Sequence, residues 1–269
     1  MTFPPAPETL LDRARDLGIL RELLVSELDR ARRMASRHPF RARPLEGAGP
    51  FEKALRAGPL PVIAEFKRAS PSLGPFASTA DVAAQVAAYR QGGAAACSIL
   101  AEPTRFLGRP GDFAKAKAKA AGLPLLYKGF VCTEAHLDEA AALGADAVLL
   151  IARVLGEYLP DFAAAARIRG LEPLAEVHAL AELPAVQAAH ARMVGWNVRD
   201  LSDFSVRRAP AALLRDAFPE ALLVRESGIR TPEEAQAALA EGFDALLIGE
   251  ALMRDPDPAR FLASIRVPA

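Results

Sequence analysis

Glu65 and Lys67 stand two residues apart where the apolar run Pro61-Val62-Ile63-Ala64 ends, and the turn-forming segment Ser70-Pro71-Ser72-Leu73-Gly74 follows. In an extended strand, side chains alternate between faces, so these two share one face. An acid and a base at the mouth of a buried strand suit proton transfer on an anionic substrate. The same pair would also serve as an ion pair closing a strand end.

Further polar residues end other apolar runs. They are Lys128, Glu176 followed by His178, Asn197 with Arg199, Glu226-Ser227-Gly228, and Gly249-Glu250. One polar strand end means little, but a whole set that converges on one rim is hard to ascribe to solvation. What must bring them together is a repeating unit. Apolar runs at 61–65, 95–100, 124–127, 146–151, 172–177, 193–197, 221–225 and 244–248 are candidate strands. Alanine-rich helical patterns fill the gaps at 80–91, 112–121, 133–143, 158–169, 180–190, 210–218, 231–240 and 257–265. The joints Gly92-Gly93, Leu143-Gly144-Ala145-Asp146 and Glu241-Gly242-Phe243-Asp244 each put glycine where a left-handed helix end turns into a strand. The strands are apolar throughout, as parallel strands covered on both faces should be.

Eight such units in series predict an α/β protein, a single (β/α)8 TIM barrel, with its chemistry at the C-terminal ends of the strands. A doubly wound open sheet is the alternative. Against it, no Gly-x-Gly-x-x-Gly follows any strand. Residues 8–37 carry leucines near helical spacing and form an N-terminal helical extension, with Gly18 a point of bending. The expected division is 1–50 for extension and connector, including the proline- and glycine-bearing stretch 39–50, and 51–269 for the catalytic barrel. Phe51 to Arg56 is a short helix candidate.

The chain has 269 residues, of which 51% are hydrophobic, enough for a large core. Its 33 basic and 33 acidic residues balance, so neither nucleic acid nor a membrane surface is favoured as a partner. Cys97 and Cys132 are too few for a disulfide framework or a zinc site and read as buried thiols. His38, His136 and His190 read as surface residues. No basic-then-apolar leader opens the sequence and no charge-free apolar stretch is long enough to span a membrane, so the expectation is a cytoplasmic enzyme.

The motifs Ile63-Ala64-Glu65-Phe66-Lys67-Arg68-Ala69-Ser70-Pro71-Ser72, Ser98-Ile99-Leu100-Ala101-Glu102 with Phe106-Leu107-Gly108, Leu126-Tyr127-Lys128-Gly129-Phe130, Leu174-Ala175-Glu176-Val177-His178, Asn197-Val198-Arg199-Asp200-Leu201 and Glu226-Ser227-Gly228-Ile229 occur in an order that resembles the indole-3-glycerol phosphate synthase family. The resemblance runs from about residue 50 to the C-terminus. It implies ring closure of 1-(2-carboxyphenylamino)-1-deoxyribulose 5-phosphate with loss of CO2 and water, a step of tryptophan biosynthesis. It implies a phosphorylated small-molecule substrate, no cofactor and no metal. The chain would act as a monomer or weak homodimer. By resemblance, Lys128 is the general acid and Lys67 holds the carboxylate or assists dehydration. Glu176 stabilises or deprotonates the cationic intermediate, Glu65 is a base or a lysine's partner, and Asn197 bonds a sugar hydroxyl.

Ser70, Ser227, Gly228, Gly249 and Glu250 are candidates for the phosphate end, with Arg199 adding positive charge, and Glu226 is a substrate-binding candidate beside them. Phe106, Phe130 and Leu201 are candidates for walling the aromatic ring. A lysine that acts as an acid near neutral pH needs a lowered pKa, which burial or a second cation would supply. The chain departs from the family at Gly129, where Asp is usual, and at Ala101, Trp196, Val198 and Arg225. Those departures leave open an alternative, a divergent paralogue that acts on, or only binds, a related phosphorylated ligand.

Overall fold

The computed structural model describes residues 7–15, 18–34, 42–71, 73–109, 111–199, 210–265 and 267. Eight parallel strands close into a barrel in chain order: β1 (Val62–Phe66), β2 (Ala96–Leu100), β3 (Leu125–Lys128), β4 (Ala147–Ile151), β5 (Glu172–Val177), β6 (Met193–Asn197), β7 (Leu222–Glu226) and β8 (Ala245–Ile248). Val62 pairs with Leu246 across the closing seam, and Ile63 pairs with Ala96 on the other side. Each strand lies within a residue of the run that predicts it. Pro61 and Pro124 lie just before their strands, where a missing N–H removes no ladder bond, and their carbonyls accept from Leu246 and Cys97.

The joints explain themselves locally. Gly93, Gly144 and Gly242 have φ of +87°, +76° and +103°, where a Cβ would be strained. The aspartates after the last two do matching work. Asp146 Oδ2 accepts the Leu125 N–H at 2.8 Å, and Asp244 Oδ2 accepts the Leu223 N–H at 2.7 Å. Each ties the start of one strand to the next.

The N-terminal segment is two helices, α1 (Pro7–Arg13) and α2 (Ile19–Met34), on either side of Gly18 at φ +48°. The apolar stripe of α2 buries Leu20, Leu23, Leu24, Leu28, Ala31 and Met34. The short helix α3 (Pro50–Ala57) sits at the N-terminal end of the barrel. Glu172, the first residue of β5, accepts the N–H groups of Gly49, Phe51 and Glu52 at 3.0, 2.6 and 3.0 Å. That carboxylate satisfies donors that a helix N-terminus leaves open. The outer layer continues with α4 (Val82–Gln91), α5 (Asp112–Ala120) and α6 (Glu134–Ala142).

Cys97 and Cys132 are buried, and burial pushes both thiols up. His190 is exposed, while His38 lies outside the described residues. His136 corrects the expectation of a surface residue: it is fully buried, with Nε2 3.1 Å from Glu27 Oε2. The carboxylate on α2 meets one ring nitrogen, and the Thr133 hydroxyl at the start of α6 lies 3.1 Å from the other. Among the described residues no helix is long and apolar enough to cross a membrane.

Candidate active site

A cavity of about 470 Å³ opens at the C-terminal ends of the strands. Of the residues singled out from sequence, Glu65, Lys67, Ser70, Phe106, Lys128, Phe130, Glu176, Asn197, Arg199, Ser227, Gly228, Gly249 and Glu250 line it. Leu201 lies outside the described residues. Glu226 stands just behind the wall, 1% exposed, and holds Lys128.

Two ion-paired groups form the floor. Lys67 Nζ is 2.6 Å from Glu65 Oε1, as strand alternation requires. Gly249 of the β8 end makes that pair possible, since a Cβ there would overlap the Glu65 carboxylate. Lys128 Nζ donates to Glu226 Oε2 at 2.7 Å and to Glu176 Oε2 at 3.3 Å. Gly195 of β6 leaves the space that the Glu226 carboxylate fills. Glu226 was expected among the substrate-binding residues. The β7 alternation turns its side chain into the barrel, where it pairs with Lys128.

The electrostatics follow from this packing. Burial alone would lower Lys128, but Glu226, Glu176 and Glu65 outweigh it and hold the ammonium well above the ordinary lysine range. The lowered pKa expected from burial is therefore reversed, because three carboxylates face one amine. Burial also works to raise Glu176, and Lys128 and His178 overcome it, so that carboxyl stays below its usual value. Glu226 goes the other way. Burial and the adjacent Glu176 prevail over Lys128 and push it up to about 8. Two carboxyls beside one ammonium thus hold one proton more readily than none. His178 is buried behind Glu176, with Nε2 3.3 Å from Glu176 Oε1.

At the opposite edge, Ser227 and Gly228 have φ of +68° and +74°. Two such residues in a row make a tight turn, and Gly228 has no side chain to keep a ligand from the backbone there. Asn197 Oδ1 accepts the Arg199 N–H at 3.1 Å, and the Arg199 guanidinium lies 3.7 Å from Glu250. The apolar side is walled by Phe106 and Phe130, whose ring centroids are 6.2 Å apart, together with Leu149, Ile151 and Leu247. Sequence reasoning missed the roof: Ile19, Leu20 and Leu23 of α2 also line the cavity. The leucine spacing pointed to a buried face but not to what it covers.

A family model described as indole-3-glycerol phosphate synthase matches residues 27–265. Indole-3-glycerol phosphate synthase 2 of Streptomyces coelicolor is 42% identical over 248 residues, covering 90% of this chain and 96% of that protein. The chain belongs to the indole-3-glycerol phosphate synthase family. The family's Lactiplantibacillus plantarum member is 40% identical over 218 residues, 80% of this chain and 84% of that protein. A solved N-acetylmannosamine-6-phosphate 2-epimerase from Clostridium perfringens superposes with a TM-score of 0.58 at 18% identity, over 78% of this chain and 93% of that one. This last likeness speaks to the barrel alone.

Family membership puts the departures in context. Gly129 lies beside the Tyr127 ring, where an added Cβ would be 3.2 Å from Cε1, and 3.6 Å from the Ala101 Cβ. Trp196 and Arg225 pair across β6 and β7, on the alternation opposite to Asn197 and Glu226. They therefore face away from the site. Val198 is buried and sits one residue past the β6 end.

Proposed function

We propose that this chain is an indole-3-glycerol phosphate synthase, converting 1-(2-carboxyphenylamino)-1-deoxyribulose 5-phosphate to indole-3-glycerol phosphate, CO2 and water in tryptophan biosynthesis. The observation that carries the reading is Lys128 clasped by Glu176 and Glu226 at the floor of a pocket with an aromatic wall and glycine-bearing turns at its edge.

The two ends of the substrate fit the two ends of the pocket. The phosphate takes the turn at Ser227 and Gly228, the Gly249–Glu250 turn and the Arg199 charge, with Ser70 above. The ring lies against Phe106 and Phe130. Lys67 meets the carboxylate until it leaves as CO2, and Glu65 keeps that ammonium in place. Asn197 bonds a sugar hydroxyl. As the ring carbon attacks the sugar carbonyl, negative charge builds on the carbonyl oxygen, and Lys128 delivers a proton to it. A tightly held ammonium proton still moves, because the alkoxide formed is the stronger base. Glu226 keeps a proton beside Lys128 and can refill it. After CO2 departs, the hydroxyl leaves as water with a proton from a lysine. Glu176 stabilises the cationic intermediate and takes the proton that restores aromaticity. The chain acts in the cytoplasm, as a monomer or weak homodimer.

The test is to add the carboxyphenylamino deoxyribulose phosphate to purified protein and follow indole fluorescence. Steady growth, absent in Lys128→Met while that variant still binds substrate, is the expected result. Substrate binding without indole or CO2 from the unmodified protein would overturn the reading in favour of a binding paralogue. Full turnover in Lys128→Met would remove the general-acid assignment.

A further inference from the structure

Lys128 has an uneven hold on its neighbours. On the β2 side the ladder reaches it: Lys128 pairs with Leu100, and its carbonyl accepts the Ala101 N–H at 2.8 Å. On the β4 side the ladder stops one residue short, at Tyr127 opposite Val148. The next residue, Gly129, has no side chain to anchor. Tyr127 is therefore the last residue of β3 held on both sides, and its side chain points away from the barrel interior into a buried polar cluster.

That cluster spans three elements. The Tyr127 hydroxyl donates to Glu139 Oε2 of α6 at 2.5 Å and accepts from Arg30 Nη2 of α2 at 3.0 Å. Arg30 Nη1 donates to the same Glu139 oxygen at 2.7 Å. Arg30 is fixed in turn by Glu27 Oε2 at 2.6 and 2.8 Å, and Glu27 meets His136 of α6 at 3.1 Å. Burial pushes the Tyr127 phenol well up, which keeps it a donor. The ring is stacked on Phe113 at 5.5 Å. About two to three turns along α2 from Arg30 are Leu23, Leu20 and Ile19, the roof of the cavity.

We propose that Tyr127 and Arg30 are positioning residues: the Tyr127 hydroxyl, gripped by Arg30 and Glu139, sets the place of the Lys128 ammonium and ties it to the roof helix α2. The inference rests on the synthase reading, in which Lys128 delivers the proton. An isolated hydrophobic contact would let the β3 end slide. A hydroxyl with one donor and one acceptor partner at fixed angles does not.

The experiment is steady-state kinetics of Tyr127→Phe, well below its unfolding temperature. The substitution keeps the ring on Phe113 and removes only the oxygen. The expected result is a fall in kcat of about tenfold or more with KM changed less than about twofold, since substrate contacts stay and the proton donor is displaced. Arg30→Met should lower kcat and also raise KM, because it frees the roof, and Arg30→Lys should recover part of both. A kcat within threefold of the parent in Tyr127→Phe, whatever its Tm, overturns the proposal and leaves the cluster a stability device. The Lys128 15N ammonium resonance reads the same placement without substrate. A shift or broadening in Tyr127→Phe supports the anchor even if the parent makes no indole, and an unchanged signal refutes it.

Discussion

Glu226→Gln offers a quantitative check on the floor of the site. Glutamine has the shape of the protonated acid, can accept from Lys128 and donate toward Glu176, and cannot ionise. In the native protein the Glu226 carboxyl is raised from 4.5 to about 8, first by burial and then by Glu176. Below about pH 4.5 the group is protonated both folded and unfolded, and it costs nothing. Between there and about pH 8 the unfolded chain ionises while the native one keeps its proton. The native state then binds more protons, so stability falls as pH rises, by a little over 1 kcal/mol for each pH unit. The full loss across the window is on the order of 5 kcal/mol, and it levels off above pH 8. Glu226→Gln removes this contribution. Urea unfolding of both proteins at several pH values between about 5 and 9 should show the variant's advantage growing with that slope and then flattening. The variant should also lose kcat on the order of a hundredfold, because the amide has no proton to hand to Lys128. A stability difference that stays constant with pH, or shrinks as pH rises, would refute the assignment of a held proton to Glu226.

Gly195→Ala puts a methyl group into the Glu226 carboxylate and should cost about 1–3 kcal/mol in chemical unfolding, with kcat falling as Glu226 is pushed from Lys128. Glu172→Gln should lower stability by about 1–3 kcal/mol and speed hydrogen exchange at Gly49, Phe51 and Glu52, with kcat unchanged because the barrel floor is remote from the mouth. Restoring the family's aspartate with Gly129→Asp forces a Cβ to 3.2 Å from the Tyr127 ring and should lower stability by about 1 kcal/mol in thermal unfolding. An unchanged Tm would mean the ring yields freely.

The β7–β8 half of the rim shows how far local pattern reaches. Glu226-Ser227-Gly228 and Gly249-Glu250 are legible as strand-end residues because an apolar run and a glycine turn are local signals. The run also assigns Ser227 and Gly228 to the turn that the structure draws with two left-handed residues. The partner of Glu226 is not legible, for a reason equally local. A motif groups it with its neighbours in the chain, while alternation sends its side chain the other way, to a lysine 98 positions earlier. His136 fails in the same manner. Thr133, at the start of its own helix, lies 3.1 Å from Nδ1, but Glu27, which meets Nε2, is 109 positions away.

The sequence by itself determined the eightfold strand–helix repeat, the glycine joints, the burial of the strands on both faces, and the ionisable side chains at the strand ends. Those follow from periodicity and turn chemistry, which act over a few residues. Only the tertiary structure decided which carboxylates surround Lys128 and that its proton is held rather than loosened. Barrel closure alone brings Glu176 and Glu226 onto one amine and adds the pull of the Glu65 charge, and mutual burial then sets their charges. The docking of α2 likewise turned a stripe of leucines into the roof of the cavity, because an apolar face is defined by spacing but its partner only by packing.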